Sequence, residues 1–384
     1  MLEKALKGSP RYWGWITFLL AVIGVGFACY LYQLSYGLGV TGMGRDISWG
    51  VYIAQFTYFV GVAASAVMLV IPKYLHHYTR YKDLVVFGEL LAIAAVVMCL
   101  LFIIVDIGQP QRMLNVLLHP TPNSILFWDM IVLNGYLAIN AIVAWNTLLA
   151  EKKGVPLAGW VKPFIYLSIP WAVSIHTVTA FLYAGVPGRH LWLTAVMAPR
   201  FLASAFAAGP SLLIMLLILL SRLTRFRPDP KALQSLAKTV CYAMIINVFL
   251  LGMEFFTAFY SNIPAHMHSL EYLFWGLHGY NALVPFMWTS VPFAILGIVI
   301  VLVPGLRKNT GLLALGCGSI FFSTWIDKGI GLVIGGFIPN PFETITEYHA
   351  TFPEISIAVA IWAIGALILT ILYRIALSVR GIVA

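Results

Sequence analysis

FIYLSIPWAVSIHTVTAFLY, residues 164–183, runs for 20 residues in which His176 is the only side chain that titrates near neutral pH. At about 1.5 Å of rise per residue, a helix of this length crosses the roughly 30 Å hydrocarbon core of a bilayer. Similar apolar stretches recur along the chain, near 13–34, 50–71, 84–105, 124–148, 163–184, 201–220, 238–260, 279–303, 311–326 (running on towards 332) and 355–377. They predict ten transmembrane helices in an all-α polytopic membrane protein, a single integral membrane domain over residues 1–384. Composition agrees: 61% hydrophobic and 10% charged residues, with a mean hydropathy of +0.91, exclude a water-soluble domain. A transmembrane β-barrel is excluded because its strands alternate apolar and polar residues over about ten positions.

The first segment follows a short basic stretch and has no small-residue cleavage site after it, so it is expected to be retained as a helix. Four cysteines, Cys29, Cys99, Cys241 and Cys317, are scattered through apolar segments without C-x-x-C spacing. That pattern suggests packing residues, with no disulfide framework and no zinc or iron–sulfur site. The net charge of +9 reports orientation. All but five of the 23 Lys and Arg fall in the N-terminal tail, the even-numbered loops and the C-terminal end, among them Lys4, Lys7, Arg80, Lys82, Lys152, Lys153, Arg222, Arg225, Arg227, Arg307, Lys308 and Arg380. The exceptions are Arg45, Arg112, Arg189, Arg200 and Lys328. By the positive-inside rule both termini are expected in the cytoplasm, in a multi-pass protein of the inner membrane.

That orientation makes depth readable. His176 falls near or just outside the midplane of the fifth segment, Glu254 in the outer third of the seventh and Asp129 near the outer end of the fourth. Asp106, Arg200, Asp327 and Lys328 sit at outer ends, whereas Glu89 lies one turn into the third segment from the cytoplasmic side. Ionisable groups at such depths cost several kcal/mol unless paired or hydrated, so each marks a candidate functional site. A lone histidine can instead be a neutral staple between helices. His176 taken with Asp129 and Glu254, on three segments at similar depth, points to a polar cavity. Asp106, Arg112, Asp327 and Lys328 also fit ordinary snorkelling or paired rim charges.

Three chemistries suit such a cavity. Haem ligation needs paired histidines at matched depth, and only His176 among nine histidines is deep. Secondary transport, or a proton-translocating channel without a redox role, fits ten helices with Pro285, Pro292 and a Gly-rich end of the ninth segment as helix breaks. A faint parallel likeness, GVAAS at 61–65 against AAGPS at 207–211, argues for parallel halves instead. Quinone oxidation or reduction at the outer face is the third. His176 and Asp129 are its expected catalytic pair, one hydrogen-bonding the quinone oxygens and the other exchanging protons. Trp128, Trp171, Tyr183 and Trp192 are placed to pack the ring or to form an interfacial aromatic belt. A proton path is expected to draw on Glu254, Glu89, Asp327 and Lys328, with Glu89 equally able to pair with Lys82 or Lys73 as a rim charge.

Four stretches carry a resemblance: ISWGVYIAQFTYFVGVAAS (47–65), DIGQPQRMLNVLLHPTPNSILFWD (106–129), SIHTVTAFLYAGVPGRHLWLTAVMAPRFLASAFAAGPSLL (174–213) and DKGIGLVIGGFIPNPFETITEY (327–348) followed by PE (353–354). The chain resembles the NrfD/polysulfide-reductase membrane-subunit family over essentially its whole length. Within that family it is most similar to the hydrogenase-associated HybB group and the DsrP branch of sulfite-reduction-associated DsrMKJOP complexes. The resemblance implies two four-helix bundles, helices 2–5 (about 50–184) and 6–9 (about 201–332), with helices 1 and 10 peripheral. It implies a menaquinone site near the outer surface formed by Trp49, Asp129 and His176, with Asp106 and Arg112 of the D-x-G-x-P-x-R stretch at its mouth. Trp128, Tyr183 and Arg200 complete the residues expected to contact the quinone. No haem or iron–sulfur cluster is implied in this subunit. Electrons are expected to pass to or from a DsrO-like iron–sulfur subunit on the outer loops, with DsrJ-like multihaem, DsrM-like and DsrK-like subunits nearby. Where relatives often carry Glu-Lys-Gly, this chain has Asp327-Lys328-Gly329, which keeps the charge and shortens its reach.

Overall fold

The computed structural model describes Glu3 and residues 8–382, so Lys4 and Lys7 lie outside the described residues. Ten helices are long and apolar enough to cross a membrane: α1 (Pro10–Tyr36), α2 (Val51–Leu75), α3 (Val85–Asp106), α4 (Ile125–Lys153), α5 (Lys162–Ala184), α6 (Met197–Leu223), α7 (Pro230–Tyr260), α8 (Val284–Leu302), α9 (Thr310–Ile334) and α10 (Phe352–Val379). Among the described residues there is no strand beyond an isolated bridge between Leu277 and Tyr280. The all-helical, ten-span expectation therefore holds. Of the helices outside the expected segments the longest, Pro264–Phe274, lies in the connection between α7 and α8.

The ends of the helices follow local chemistry. Ser9 accepts a hydrogen bond from the Tyr12 amide ahead of Pro10, and Asp229 accepts from the Lys231 amide ahead of Pro230. Side-chain acceptors with proline at the first helical position satisfy or remove amides that have no partner within the helix. Asn309 caps α9 through the amides of Gly311 and Leu312, and Thr351 with Glu354 forms a capping box on α10. Gly154 closes α4 in the left-handed region at φ 65°, where a side chain would be strained.

Without water to drive apolar surfaces together, helices in a bilayer associate through close packing of small residues. α2 is the most deeply buried span and packs on α3, α6 and α9; α4 lies between α3 and α5, α8 packs on α9 and α7, and α1 lies against α10. The α2–α6 contact is made by the two stretches with faint likeness. A Cβ on Gly209 would stand 2.8 Å from the Val62 carbonyl oxygen and 3.0 Å from the Ser65 nitrogen. Here α2 loosens into a turn at residues 64–66 and α6 carries Pro210. α1 turns Trp13, Phe18 and Phe27 outward, as a lipid-facing helix does.

The even-numbered loops gather at one end. Arg80 pairs with Asp229 at 3.2 Å, and Arg380 pairs with Glu151 at 2.8 Å while donating to the Asp83 carbonyl. The odd-numbered loops gather at the other, where Arg189 donates to the carbonyls of Phe337 and Asp46 and His268 meets Glu343 at 2.8 Å. Sequence and structure thus agree that the basic loops share one end of the molecule.

The last ten residues of α9, Trp325–Ile334, are π-helical, with hydrogen bonds spanning five residues instead of four. The wider turn brings the consecutive residues Asp327 and Lys328 both into the interior, each less than a tenth exposed. Glycines permit the close approach this requires: Gly329 packs against the Ala54 carbonyl, and a Cβ on Gly336 would collide with the Trp192 indole.

Candidate functional site

One face of α5 carries His176, Thr179 and Tyr183, at helical spacings of three and four, and all three are fully buried. The His176 Nδ1 lies 2.8 Å from the Ala172 carbonyl oxygen of its own helix. A carbonyl only accepts, so Nδ1 carries the proton and Nε2 of the neutral ring is left as a bare acceptor. Nε2 is buried with no well-formed hydrogen bond and makes only a weak contact to the Gly61 backbone of α2. A buried polar atom left open in this way is uncommon and asks for an occupant.

Asp129 enters from α4, buried, and its Oδ1 accepts from the Thr179 hydroxyl at 2.6 Å. That hydroxyl also lies 2.8 Å from the Ile175 carbonyl oxygen. With one hydrogen and two acceptors, Thr179 can serve Asp129 in either state. It donates to the carboxylate when Asp129 is ionised; when Asp129 is protonated, the acid donates to Thr179, which turns its own hydrogen to Ile175. The carboxyl group can therefore gain and lose a proton without leaving a hydroxyl unsatisfied.

Above this pair, towards the odd-loop end, aromatic rings close the space. Tyr183 hydrogen-bonds Thr57 of α2 and packs edge-on against Trp49 and Trp192 at centroid distances of 5.5 and 5.1 Å. Trp49 stacks on Trp192 at 5.7 Å, and Phe337 meets both. The Trp192 indole donates to the Leu332 carbonyl at 2.8 Å, tying the loop after α5 to the π-helical end of α9.

A second polar cluster adjoins the first. Arg200 of α6 reaches Glu254 of α7 at 2.6 Å and Asp327 of α9 at 2.7 Å, with all three side chains less than a tenth exposed. Lys328 donates to the Phe201 carbonyl at 3.2 Å and sits 4.0 Å above the Phe201 ring. Two cations and two carboxylates balance, which lowers the cost of holding them away from water. A cavity of about 10 Å³, enough for roughly one water, is bordered by Arg200, Ser204, Asn247, Asp327 and Lys328. Asn247 Oδ1 and Glu254 Oε1 are buried without partners. The clusters meet at Gly61, whose missing side chain leaves its Cβ position 3.5 Å from Lys328 Nζ.

The other sequence candidates lie elsewhere. Asp106, at the odd-loop end of α3, has a buried Oδ1 without a partner and lies within electrostatic reach of Glu354 and Tyr348. Arg112 is exposed on a short turn. Trp128 is 47% exposed and donates to the Pro122 carbonyl, because neighbouring helix residues point about 100° apart and Asp129 takes the inward direction. Glu89 is buried near the even-loop end, 17 residues before Asp106 on α3, about 25 Å along the axis. Its Oε2 has no hydrogen-bond partner, and Lys73 and Glu151 are the charges nearest it.

Thr179, Gly61 and Phe201 were not singled out from sequence. Thr179 had a signal, since it follows His176 by three residues on one helix face. Glu354 was visible only within the quoted stretches. Fully buried, it accepts from the Tyr348 hydroxyl at 2.7 Å and from the amides of Gly42 and Thr351 at 2.7 and 2.9 Å. It thereby ties the odd-numbered loops to α10.

Comparison with known proteins places the chain in a family. The chain is 28% identical to a Halobacterium salinarum protein provisionally named as a membrane component of dimethyl sulfoxide reductase, over 92% of this chain and 89% of that one. It is 27% identical to the Hdr-like menaquinol oxidoreductase integral membrane subunit of Archaeoglobus fulgidus, over 80% of this chain and 74% of that one. It is 20% identical to the menaquinone reductase integral membrane subunit of Nitratidesulfovibrio vulgaris, over 94% and 90%. The profile of the polysulphide reductase NrfD family matches residues 39–327, and the chain belongs to that family.

Proposed function

We propose that the chain is the quinone-reactive membrane subunit of a multisubunit redox complex, with His176 and Asp129 as its proton acceptors and menaquinol as substrate. The observation that carries this reading is the buried Nε2 of His176, which lacks a well-formed hydrogen bond and lies one helical turn from Thr179, whose hydroxyl serves both protonation states of Asp129. The names of the Archaeoglobus and Nitratidesulfovibrio relatives support menaquinone as the reactant.

The quinol/quinone couple supplies two electrons and two protons per turnover. Nε2, with its proton on Nδ1, is set to accept from a hydroxyl donor and becomes the doubly protonated imidazolium. Asp129 takes the second proton, and Thr179 turns its hydrogen to Ile175 as it does so. Trp49, Tyr183 and Trp192 provide flat apolar surface at the odd-loop side for a ring, and Asp106 and Arg112 stand nearer the surface. Quinone reduction uses the same residues in reverse, starting from the protonated pair.

The basic even-numbered loops support a cytoplasmic position for that end, with the pocket in the outer half of the membrane and an iron–sulfur subunit docked on the odd-numbered loops. The quoted sequence likeness supports a setting in sulfur metabolism with DsrO-, DsrJ-, DsrM- and DsrK-like partners. It also supports a division into helix bundles α2–α5 and α6–α9. The test is His176→Phe in the whole complex. Assembly should be preserved while quinol-dependent electron transfer falls by about two orders of magnitude or more, the scale of a lost general base. Wild-type turnover in an assembled variant would overturn the assignment.

A further inference from the structure

We propose that the groove between α1, α6 and α10 at the basic end is a binding site for one anionic phospholipid, whose phosphate is held by Arg374 and Arg11. The site is remote from His176 and independent of the quinol reading. The groove encloses about 720 Å³, within the roughly 300–1,000 Å³ of sites that hold small molecules. One wall is the stripe Leu216, Leu219, Leu220 and Leu223 of α6, at the spacing of one helix face. The stripe runs about 10 Å along the membrane normal, the direction in which an acyl chain lies. Leu369 and Leu377 of α10 face it.

The polar groups sit at one end. The Arg374 guanidinium lies 4.2 Å above the Tyr12 ring, and its Nε is buried without a hydrogen-bond partner. Arg11 lines the same opening, one residue into α1, and the Trp15 indole bridges to the Thr370 hydroxyl at 3.2 Å below it. Among the described residues no carboxylate lines the groove, so two cations border an apolar trough. The occupant must bring negative charge at this depth and aliphatic length below it.

A phospholipid supplies both. Its phosphate already lies at the headgroup level, so it pays no insertion cost, whereas a carboxylate on a partner's helix must be carried into the membrane. The fork of an arginine matches phosphate oxygens in pairs, and the unpartnered Nε supplies one of those donors.

The test uses the purified complex, stripped of lipid in detergent, titrated with labelled phosphatidylglycerol and, separately, phosphatidylcholine. Wild type should prefer phosphatidylglycerol and gain thermal stability from it, while inorganic phosphate alone gives no gain. At about 1 kcal/mol per arginine near the surface, Arg374→Gln should weaken binding about fivefold and the Arg374→Gln/Arg11→Gln pair about 25-fold. Arg374→Lys, which keeps the charge but loses the fork, should fall between wild type and Arg374→Gln. Quinol turnover, measured separately, reports that the variants remain assembled. Equal binding of the two lipids, unchanged affinity in the double variant, or stabilisation by free phosphate would overturn the proposal. So would a cross-linker at Leu219→Cys that captures a polypeptide in place of lipid.

Discussion

Replacing Thr179 with valine keeps the volume and branching of the side chain and removes only the hydroxyl between Asp129 and Ile175. Two bonds, at 2.6 and 2.8 Å, disappear with it. A hydrogen bond to a charged group contributes about 1.5–3 kcal/mol, which corresponds to about 10- to 150-fold in rate. Interhelical hydrogen bonds in membranes average only about 0.6 kcal/mol, so the smallest consistent effect is about threefold. Thr179→Ser retains the hydroxyl and should stay close to wild type. The assay is quinol-dependent turnover of the intact complex, normalised to assembled subunit, with Asp129→Asn as the inactive reference. Turnover in Thr179→Val equal to wild type, alongside a dead Asp129→Asn, would refute the hydroxyl relay while leaving the carboxylate's own role in place.

Three further outcomes are expected. Arg200→Leu leaves Glu254 and Asp327 as buried, unpaired carboxylates and should destabilise the subunit by about 3–5 kcal/mol, against at most about 1 kcal/mol for Arg80→Ala at the exposed Arg80–Asp229 pair; similar unfolding midpoints for the two would contradict the buried triad. Burial, then the adjacent His190, holds the His266 imidazole below its ordinary value. Its folded form binds protons less readily than the unfolded chain, so this contribution to stability is complete above about pH 6.5 and is lost as the pH falls below that. Hydrogen exchange in the Pro264–Phe274 helix, which also carries His268 paired to Glu343 and the nearby Glu271, should quicken at pH 5 relative to the chemical rate, less so in His190→Asn; protection that rises on acidification would reverse the sign. Cysteines placed near residues 112, 189, 266 and 343 should react with an impermeant reagent from outside and those near 80, 153, 227 and 307 should not, against a low background because three native cysteines are buried and Cys29 is half-buried; the opposite pattern would invert the topology.

The ten spans were legible because hydropathy is summed over some 20 residues and tolerates local error. Boundaries moved by a few residues where polar caps such as Asp229 or basic ends such as Lys152–Lys153 extend a helix beyond its apolar stretch. The burial of His176 and Asp129 was legible for the opposite reason: a single ionisable group stands out against an apolar background. Thr179 did not, since hydroxyls are common in membrane helices and only its neighbour across the α4–α5 contact gives it a role. Trp128 shows the limit of adjacency, because the residue next to a buried one on a helix points elsewhere. The Arg200–Glu254–Asp327 grouping needed three helices to be brought together, which spacing along one chain does not reveal. Helix Pro264–Phe274 is too short and too polar for a hydropathy window.

The π-helical end of α9 also bears on how this sequence can change in length. A π-helical turn accommodates one more residue than the α-helical turn it replaces. Removing a single residue between Trp325 and Ile334 would let one turn return to ordinary α-helical bonding, in which consecutive residues point about 100° apart. Asp327 and Lys328 would then compete for one inward position: either Arg200 would lose a carboxylate, or the gap beside Gly61 would lose its ammonium group. Substitutions in this stretch can be compensated by neighbours, but a deletion cannot, so its ten residues should be fixed in number more strictly than in kind.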